Sequence, residues 1–377
     1  MKITIDGTSG IKKIEHIDSI RGIAILMVIF VHIAHTISMV SKLNPILFLV
    51  TEYGQLGVLL FYVVSAYTLC LSAESRENEK NKNLKFFIRR YFRIAPAYYI
   101  IGIGGYFILA YLVPNYSVLK FENYTPLNIC ANLFFVHGFV QNTANNGIVP
   151  GGWSIGTEMA FYALFPILLY YTKKASNINF KYIFVAFFLI VTATQLVSFM
   201  LFKDKINMNS FVYFNLYNQL PVFYLGIAYY FLEKQNFFNY DIKFDFLHFL
   251  WLTTLSLGIW GVSLKLNKGY LFTIIPIVSA LSFIFLINIF KKSSNLNIPI
   301  LKRIGVLSYS MYLIHFFFAR SVSLFILSKA KQELNQVLVL IVLFGFSVVA
   351  SYFIAILSEK YIEKRFIRIG KAITEKL

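Results

Sequence analysis

The stretch Asp18-Ser-Ile-Arg21-Gly-Ile-Ala-Ile-Leu-Met-Val-Ile-Phe-Val-His32 decides how the whole chain is read. It is apolar enough to span a bilayer, yet it carries Arg21 near its start and His32 in its interior, with His35 one turn further on. An ionisable group inside a spanning helix is costly and usually marks a functional site. The spacing from Arg21 to His32 is close to three helical turns, so the two share one stripe, roughly 16 Å apart along the axis. His35 follows His32 at i+3, on nearly the same face. The alternative is a histidine satisfied by packing inside a helix bundle.

Composition extends this reading to the rest of the chain. Of its 377 residues, 58% are hydrophobic and 18% aromatic, with a mean hydropathy of +0.66. These values exclude an ordinary soluble domain and define an all-α, polytopic integral membrane protein. Ten spans are expected, over 19–40, 55–73, 95–113, 153–172, 179–202, 212–232, 246–264, 270–291, 305–328 and 336–358. The apolar piece 128–140 is too brief to cross and reads as re-entrant or interfacial. No repeat or long linker divides the chain, so 1–377 reads as one domain, with a short cytoplasmic segment 1–18 and a basic cytoplasmic tail 359–377.

The net charge of +18 first suggests nucleic acid, but its distribution argues for topology instead. With the N-terminus cytoplasmic, inside segments hold 26 Lys and Arg. Outside loops hold 8: Lys42, Lys120, Lys203, Lys205, Lys265, Lys268, Lys329 and Lys331. That bias places both termini in the cytoplasm and leaves no nucleic-acid partner to invoke. No signal peptide is evident, because the first apolar run is too long for an h-region. Cys70 and Cys130 have no neighbouring ligands, so neither a disulfide framework nor a metal site is expected; they read as small buried apolar residues. The outside loop 114–152 carries sequons at Asn115 and Asn123, which an Asn-rich loop produces by chance.

Three further charges fall inside spans. By helix rise, His32 lies roughly 20 Å up from the cytoplasmic face, Glu158 and Arg320 about 22 Å, and His315 about 15 Å. Charges of both signs at similar depth suggest a polar cavity opening outward; the alternative is a Glu158–Arg320 pair that only pins two helices. Ser154, Glu158 and Tyr162 are spaced i, i+4, i+8 and form one polar stripe. Trp153 at its head serves either as an interface anchor or as a site-lining group. On the cytoplasmic side, Arg89, Arg90 and Arg93 stand at the mouth of a span, with Arg89 and Arg93 at i, i+4. Arginine's planar fork suits phosphate, although positive-inside topology and anionic lipid account for the same residues. The layout fits transfer of an acyl group from a cytoplasmic phosphorylated carrier to an acceptor reached from outside, with a histidine as general base. A transporter of an anionic solute would use a similar layout.

The motifs taken together resemble the acyltransferase 3 family of membrane O-acyltransferases, which acetylate bacterial surface polysaccharides. The carrying residues are Asp18-Ser-Ile-Arg21-Gly22 to His32, Gly57-Val-Leu-Leu-Phe-Tyr-Val-Val-Ser65 and Arg89-Arg90-x-x-Arg93-x-x-Pro96. After them come Asn132-Leu-Phe-Phe-Val-His-Gly138, Trp153-Ser154-x-x-x-Glu158-x-x-Phe161-Tyr162, Gln219-Leu-Pro221-Val-Phe-Tyr-Leu-Gly226 and Ser308-Tyr309-Ser-Met-Tyr312-Leu-Ile-His315. Any one alone is weak; their order along the chain is specific. The resemblance implies a co-substrate of acetyl-CoA type on the cytoplasmic side, with no permanently bound cofactor. It implies that Arg21 and His32 are essential and His32 the base, that Arg89, Arg90 and Arg93 bind CoA phosphates, and that Glu158 belongs to the site. His35, Ser65, Trp153, Ser154, Tyr162, Tyr309, His315 and Arg320 are then expected to line it. The acceptor would be a sugar hydroxyl of a cell-surface polysaccharide or its lipid-linked precursor. The location would be a bacterial inner membrane, and residue usage rich in Lys, Asn, Ile, Phe and Tyr fits a bacterial source.

Three departures stand out. The family's Ser-Gly-Phe reads Ser65-Ala66-Tyr67, which is expected to change helix packing or narrow the cavity and leaves Ser65 free to bond its own helix. The family's Glu-Lys-Pro reads Glu363-Lys364-Arg365, expected to affect only how the last helix ends, and Trp-Ser-Leu reads Trp-Ser-Ile. Many relatives carry a further soluble esterase-like domain; this chain reads as a stand-alone member. The competing classes are a transporter or flippase, which would show internal repeats, and a receptor or scaffold, which would leave the buried charges unexplained.

Overall fold

A computed structural model describes residues 14–41, 43–113, 119–140, 143, 147–202, 211–266, 269–329 and 335–377. Segment 1–13, the sequon at Asn115 and the lysines Lys42, Lys203, Lys205, Lys268 and Lys331 lie outside them. Among the described residues the chain is helical, with no strand. The long helices are α1 (Glu15–Ser38), α2 (Pro45–Glu52) joined by a 3₁₀ turn to α3 (Gly57–Glu74), and α4 (Lys82–Ala97), which continues through the π-helical Tyr98–Gly105 into α5 (Tyr106–Leu112). After the short α6 (Pro126–Leu133) come α7 (Gly152–Ile178), α8 (Lys181–Phe202), α9 (Leu216–Lys234), α10 (Ile242–Leu266) and α11 (Ile275–Lys292). The chain then forms α12 (Pro299–Val306), α13 (Ser308–Phe316), α14 (Ser323–Lys329), α15 (Gln336–Ser358) and α16 (Lys364–Glu375).

Nine helical stretches among the described residues are long and apolar enough to cross a membrane, at nine of the ten expected positions. The tenth, expected over 212–232, is α9. At 19 residues it is long enough, but it carries Asn218, Gln219 and four tyrosines and falls short on apolar character. The reason is burial: nearly every side chain from Asn218 to Leu232 is covered by protein. A helix sheathed by protein needs no lipid-facing stripe, and some of its polar groups find protein partners. Gln219 Nε2 donates to Tyr213 O at 2.6 Å, and Tyr229 OH donates to Asn288 Oδ1 at 2.8 Å. By contrast α8, α10 and α15 expose Phe188, Leu189, Trp251, Val342 and Phe353, surfaces that lipid accepts and water does not. The piece expected over 128–140 holds only α6 and a 3₁₀ turn, His137–Phe139, too short to cross.

The chain folds as two compact units, each discontinuous in sequence. The first holds α1 as far as Arg21, Leu59–Lys82 and Thr157–Lys302. Here α9 packs on α8 and α11, and α10 pairs with α11, where Ser256 and Ser279 share a hydrogen bond of 2.7 Å. Ala66, one of the departures, is fully buried, and its methyl faces Gly226 of α9. A Cβ on Gly226 would run into Val63 O and lie 2.7 Å from Ala66 Cβ. The glycine thus sits on the neighbouring helix, and the two still approach closely. Tyr67 OH donates to Glu233 Oε2 at 2.7 Å, and Lys291 pairs with the same carboxylate.

The second unit holds Gly22–Val58, Asn83–Gly156 and Arg303–Leu377. Asn44 caps α2 by accepting from Ile46 N, with Pro45 at its first position. Gly54 and Gly57 bring the start of α3 onto α1 backbone to backbone: added Cβ atoms would meet Met27 O at 2.4 Å and Ala24 O at 2.6 Å. At the other end, no proline follows Lys364, and the helix does not stop. It runs from α15 through the π-helical Glu359–Glu363 into α16. Arg303 and Lys364 both pair with Glu359, at 2.9 and 3.3 Å.

Candidate active site

The expected residues fall in both units, and each group is described within its own. In the second unit, α1 presents His32 and His35, and α13 presents His315 and Phe316. The His32 ring lies 4.2 Å from the Phe316 ring and 5.3 Å from the His315 ring, centroid to centroid. His35 stands edge-on to it at 5.9 Å. His315 is fully buried. Its Nδ1 lies 2.7 Å from Tyr312 O, and because a carbonyl can only accept, Nδ1 carries the proton. In the neutral ring this leaves Nε2 as a bare lone pair. That atom is buried and has no hydrogen-bond partner among the described residues. A buried nitrogen without a partner is rare and calls for a reason.

The rest of the helix explains how this group is held. Between α13 and α14 the chain widens into a π-helical turn, Phe317–Val322, which carries Arg320. Such turns free backbone carbonyls and recur at functional sites. Here Thr36 Oγ1 reaches Ala319 O at 2.7 Å, tying the turn to α1. Arg320, on this turn, acts electrostatically on His32. Tyr312 OH donates to Gly151 O at 3.0 Å and lies 2.7 Å from Ser154 Oγ. Gly151 has φ +70° and its Cβ position lies 2.8 Å from that hydroxyl, so only glycine fits there. Trp153 and Ser154 therefore begin α7 at a point fixed against α13. His137 supports the same point: its Nε2 donates to Gly152 O at 2.9 Å, and burial holds its imidazole below the ordinary range. It reads as scaffold.

Glu52 is the residue that the sequence did not reveal. His35 Nε2 contacts Glu52 Oε1, Gln55 donates to Oε2, and the carboxylate is buried. Hydropathy begins the span at 55, which left Glu52 in an outside loop. The available signal was the Gly54-Gln-Leu-Gly57 pair directly after it, which lets α3 close on α1.

The first unit holds a different group. Arg21 pairs with Asp18 at 3.7 Å and donates to Thr68 Oγ1 at 3.2 Å. Thr68 donates to Ser65 O at 3.0 Å. Ser65 Oγ in turn donates to Glu158 Oε1 at 2.5 Å rather than to its own helix, and Tyr162 OH reaches the same oxygen at 2.6 Å. Arg21, Ser65, Glu158 and Tyr162 thus form one chain of hydrogen bonds through α3. Of the expected stripe on α7, Glu158 and Tyr162 act together, while Ser154 bonds to Tyr312 and to Gly151 O.

The arginines lie on α4, in the second unit. Arg89 and Arg90 are half-buried and Arg93 exposed, and the Arg90 guanidinium sits 5.9 Å from the centre of the Phe86 ring. Tyr309 reaches toward α4. Its hydroxyl donates to Ile94 O at 2.7 Å, just ahead of Pro96 and the π-helical turn, and so fixes where α4 leaves the arginine mouth. Glu363 accepts from Ser310 Oγ and interacts with Arg93.

The arrangement offers a lone-pair nitrogen among histidines, a carboxylate holding two hydroxyls, and an arginine-rich helix. The sequence model of a family described as an acyltransferase domain matches residues 14–356. No curated protein and no solved structure matches the chain.

Proposed function

Because the chain belongs to the acyltransferase 3 family, and is therefore a membrane acyltransferase, we propose that it moves an acetyl group from acetyl-CoA on the cytoplasmic side to a sugar hydroxyl. The acceptor is a cell-surface polysaccharide or its lipid-linked precursor, the membrane is a bacterial inner membrane, and both termini are cytoplasmic. The observation that carries the reading is the His32–His315 contact, with a buried His315 Nε2 that has no partner among the described residues.

In this reading His32 takes the proton of the acceptor hydroxyl as its oxygen attacks the thioester carbonyl. The tetrahedral oxyanion collapses, the C–S bond breaks, and the CoA thiolate leaves with the proton from His32. His315 Nε2 accepts a hydrogen bond from a neighbouring hydroxyl of the sugar and so orients the acceptor. Arg320 supplies positive charge near the oxyanion. Arg89, Arg90 and Arg93 grip the CoA phosphates through charge-assisted bonds. In the other unit Arg21, engaged with Asp18 and Thr68, and Glu158, holding Ser65 and Tyr162, keep geometry.

The test uses inverted membrane vesicles with labelled acetyl-CoA outside and surface glycan of the host as acceptor. The expected result is label on the glycan with wild type and none with His32→Ala. No glycan label with well-expressed wild type would overturn the donor and acceptor assignment. Equal label from both proteins would overturn the role of His32.

A further inference from the structure

Histidines that act as bases are commonly oriented by a carboxylate. The sequence offered Glu158 for that duty, but Glu158 belongs to the Ser65–Tyr162 group of the other unit. Within the unit that holds the histidines, the buried carboxylate in contact with one of them is Glu52. A carboxylate buried at membrane depth is expensive and needs a compensating partner. Glu52 has two, one for each oxygen: His35 Nε2 and Gln55 Nε2.

Its position is built rather than incidental. Gly54 and Gly57 remove the two side chains that would hold the start of α3 away from α1, at Met27 and Ala24. Thr51, beside Glu52, is fully buried and donates to Phe48 O at 2.8 Å, which fixes the end of α2. The carboxylate accepts from His35 Nε2, so that nitrogen carries a hydrogen and the ring plane is set. With its plane set, the His35 ring meets the His32 ring at 72° and 5.9 Å.

We infer that Glu52 is a positioning residue of the acyl transfer, acting through His35 to hold the His32 ring and to offset the positive charge His32 gains when it takes the acceptor proton. The inference rests on the reading of His32 as the base. Glu52 touches neither substrate: His35 stands between it and His32, and the arginines of the donor mouth lie on another helix. Its removal therefore slows the chemical step and leaves donor binding intact.

The experiment measures kcat and KM for acetyl-CoA with the full chain in vesicles, normalised to folded protein by size-exclusion profile. The variants are Glu52→Gln, His35→Gln and their double. Glu52→Gln is expected to lower kcat by roughly 10- to 100-fold with KM for acetyl-CoA within about twofold. The double variant is expected to be no slower than the worse single one, because both break the same link. Unchanged kcat in Glu52→Gln would overturn the inference, as would losses that multiply in the double. Should Glu52→Gln not fold, His35→Gln decides alone, and full kcat there overturns the inference. Activity retained in His32→Gln would sink the functional reading itself, whereas a dead His32→Gln beside a fully active Glu52→Gln would sink only the role of Glu52.

Discussion

The histidine group of one unit and the carboxylate group of the other differ in what they leave unspent. Glu158 already accepts two hydroxyls on one oxygen, and its neighbours chain back through Ser65 and Thr68 to Arg21. The contacts of the His32 ring are rings rather than hydrogen bonds, and Nε2 of the neighbouring His315 has no partner among the described residues. Satisfied polar networks fix structure, whereas an unsatisfied buried group costs stability and persists where function requires it. Buried atoms without a partner among the described residues also occur elsewhere, at His16 Nε2 and Asp245 Oδ1 for example, so variants must decide which of the two groups carries chemistry.

This contrast can be broken experimentally. His315→Phe is expected to lower kcat by about 100-fold while costing no more than about 1 kcal/mol of stability, since the Nδ1 hydrogen bond to Tyr312 O is lost together with the unpartnered Nε2. A stable variant with full activity would show that the bare nitrogen serves nothing. Ser65→Ala tests the other group. Losing one hydroxyl from Glu158 is expected to cost about 1 kcal/mol of stability, read as a lower unfolding temperature, with kcat changed less than in His315→Phe. The smallest effect belongs to Tyr67→Phe, which restores the residue type usual in the family. Glu233 keeps Lys291 as its partner, so a shift below about 1 kcal/mol is expected; a larger loss would mean that the hydroxyl is the main anchor of Glu233.

Much of this architecture was legible in the sequence because lipid imposes a simple rule. Nine spans announce themselves by length and apolar run, and the Arg21–His32 spacing on α1 needed only helix geometry. Where protein replaces lipid as the surroundings, the rule loses its force. α9 is polar because it is sheathed, and Glu52 looked like a loop residue because its burial comes from a glycine-mediated approach of two backbones. The sequence placed Ser154, Glu158 and Tyr162 on one stripe correctly, but periodicity could not tell that Ser154 turns to Tyr312 while Ser65 comes in from α3 to Glu158. Tyr309 lies in the same motif as His315, yet it braces α4. Adjacency within a motif did not imply a shared task.

The most direct test of the central claim, that chemistry resides at the histidines and scaffolding at the carboxylate, is a comparison of single-turnover acetyl transfer by His32→Gln and Glu158→Gln at saturating acetyl-CoA. The account predicts a rate lowered by more than about 100-fold in His32→Gln and by less than about tenfold in Glu158→Gln. The opposite order would contradict it and move the chemistry to Glu158.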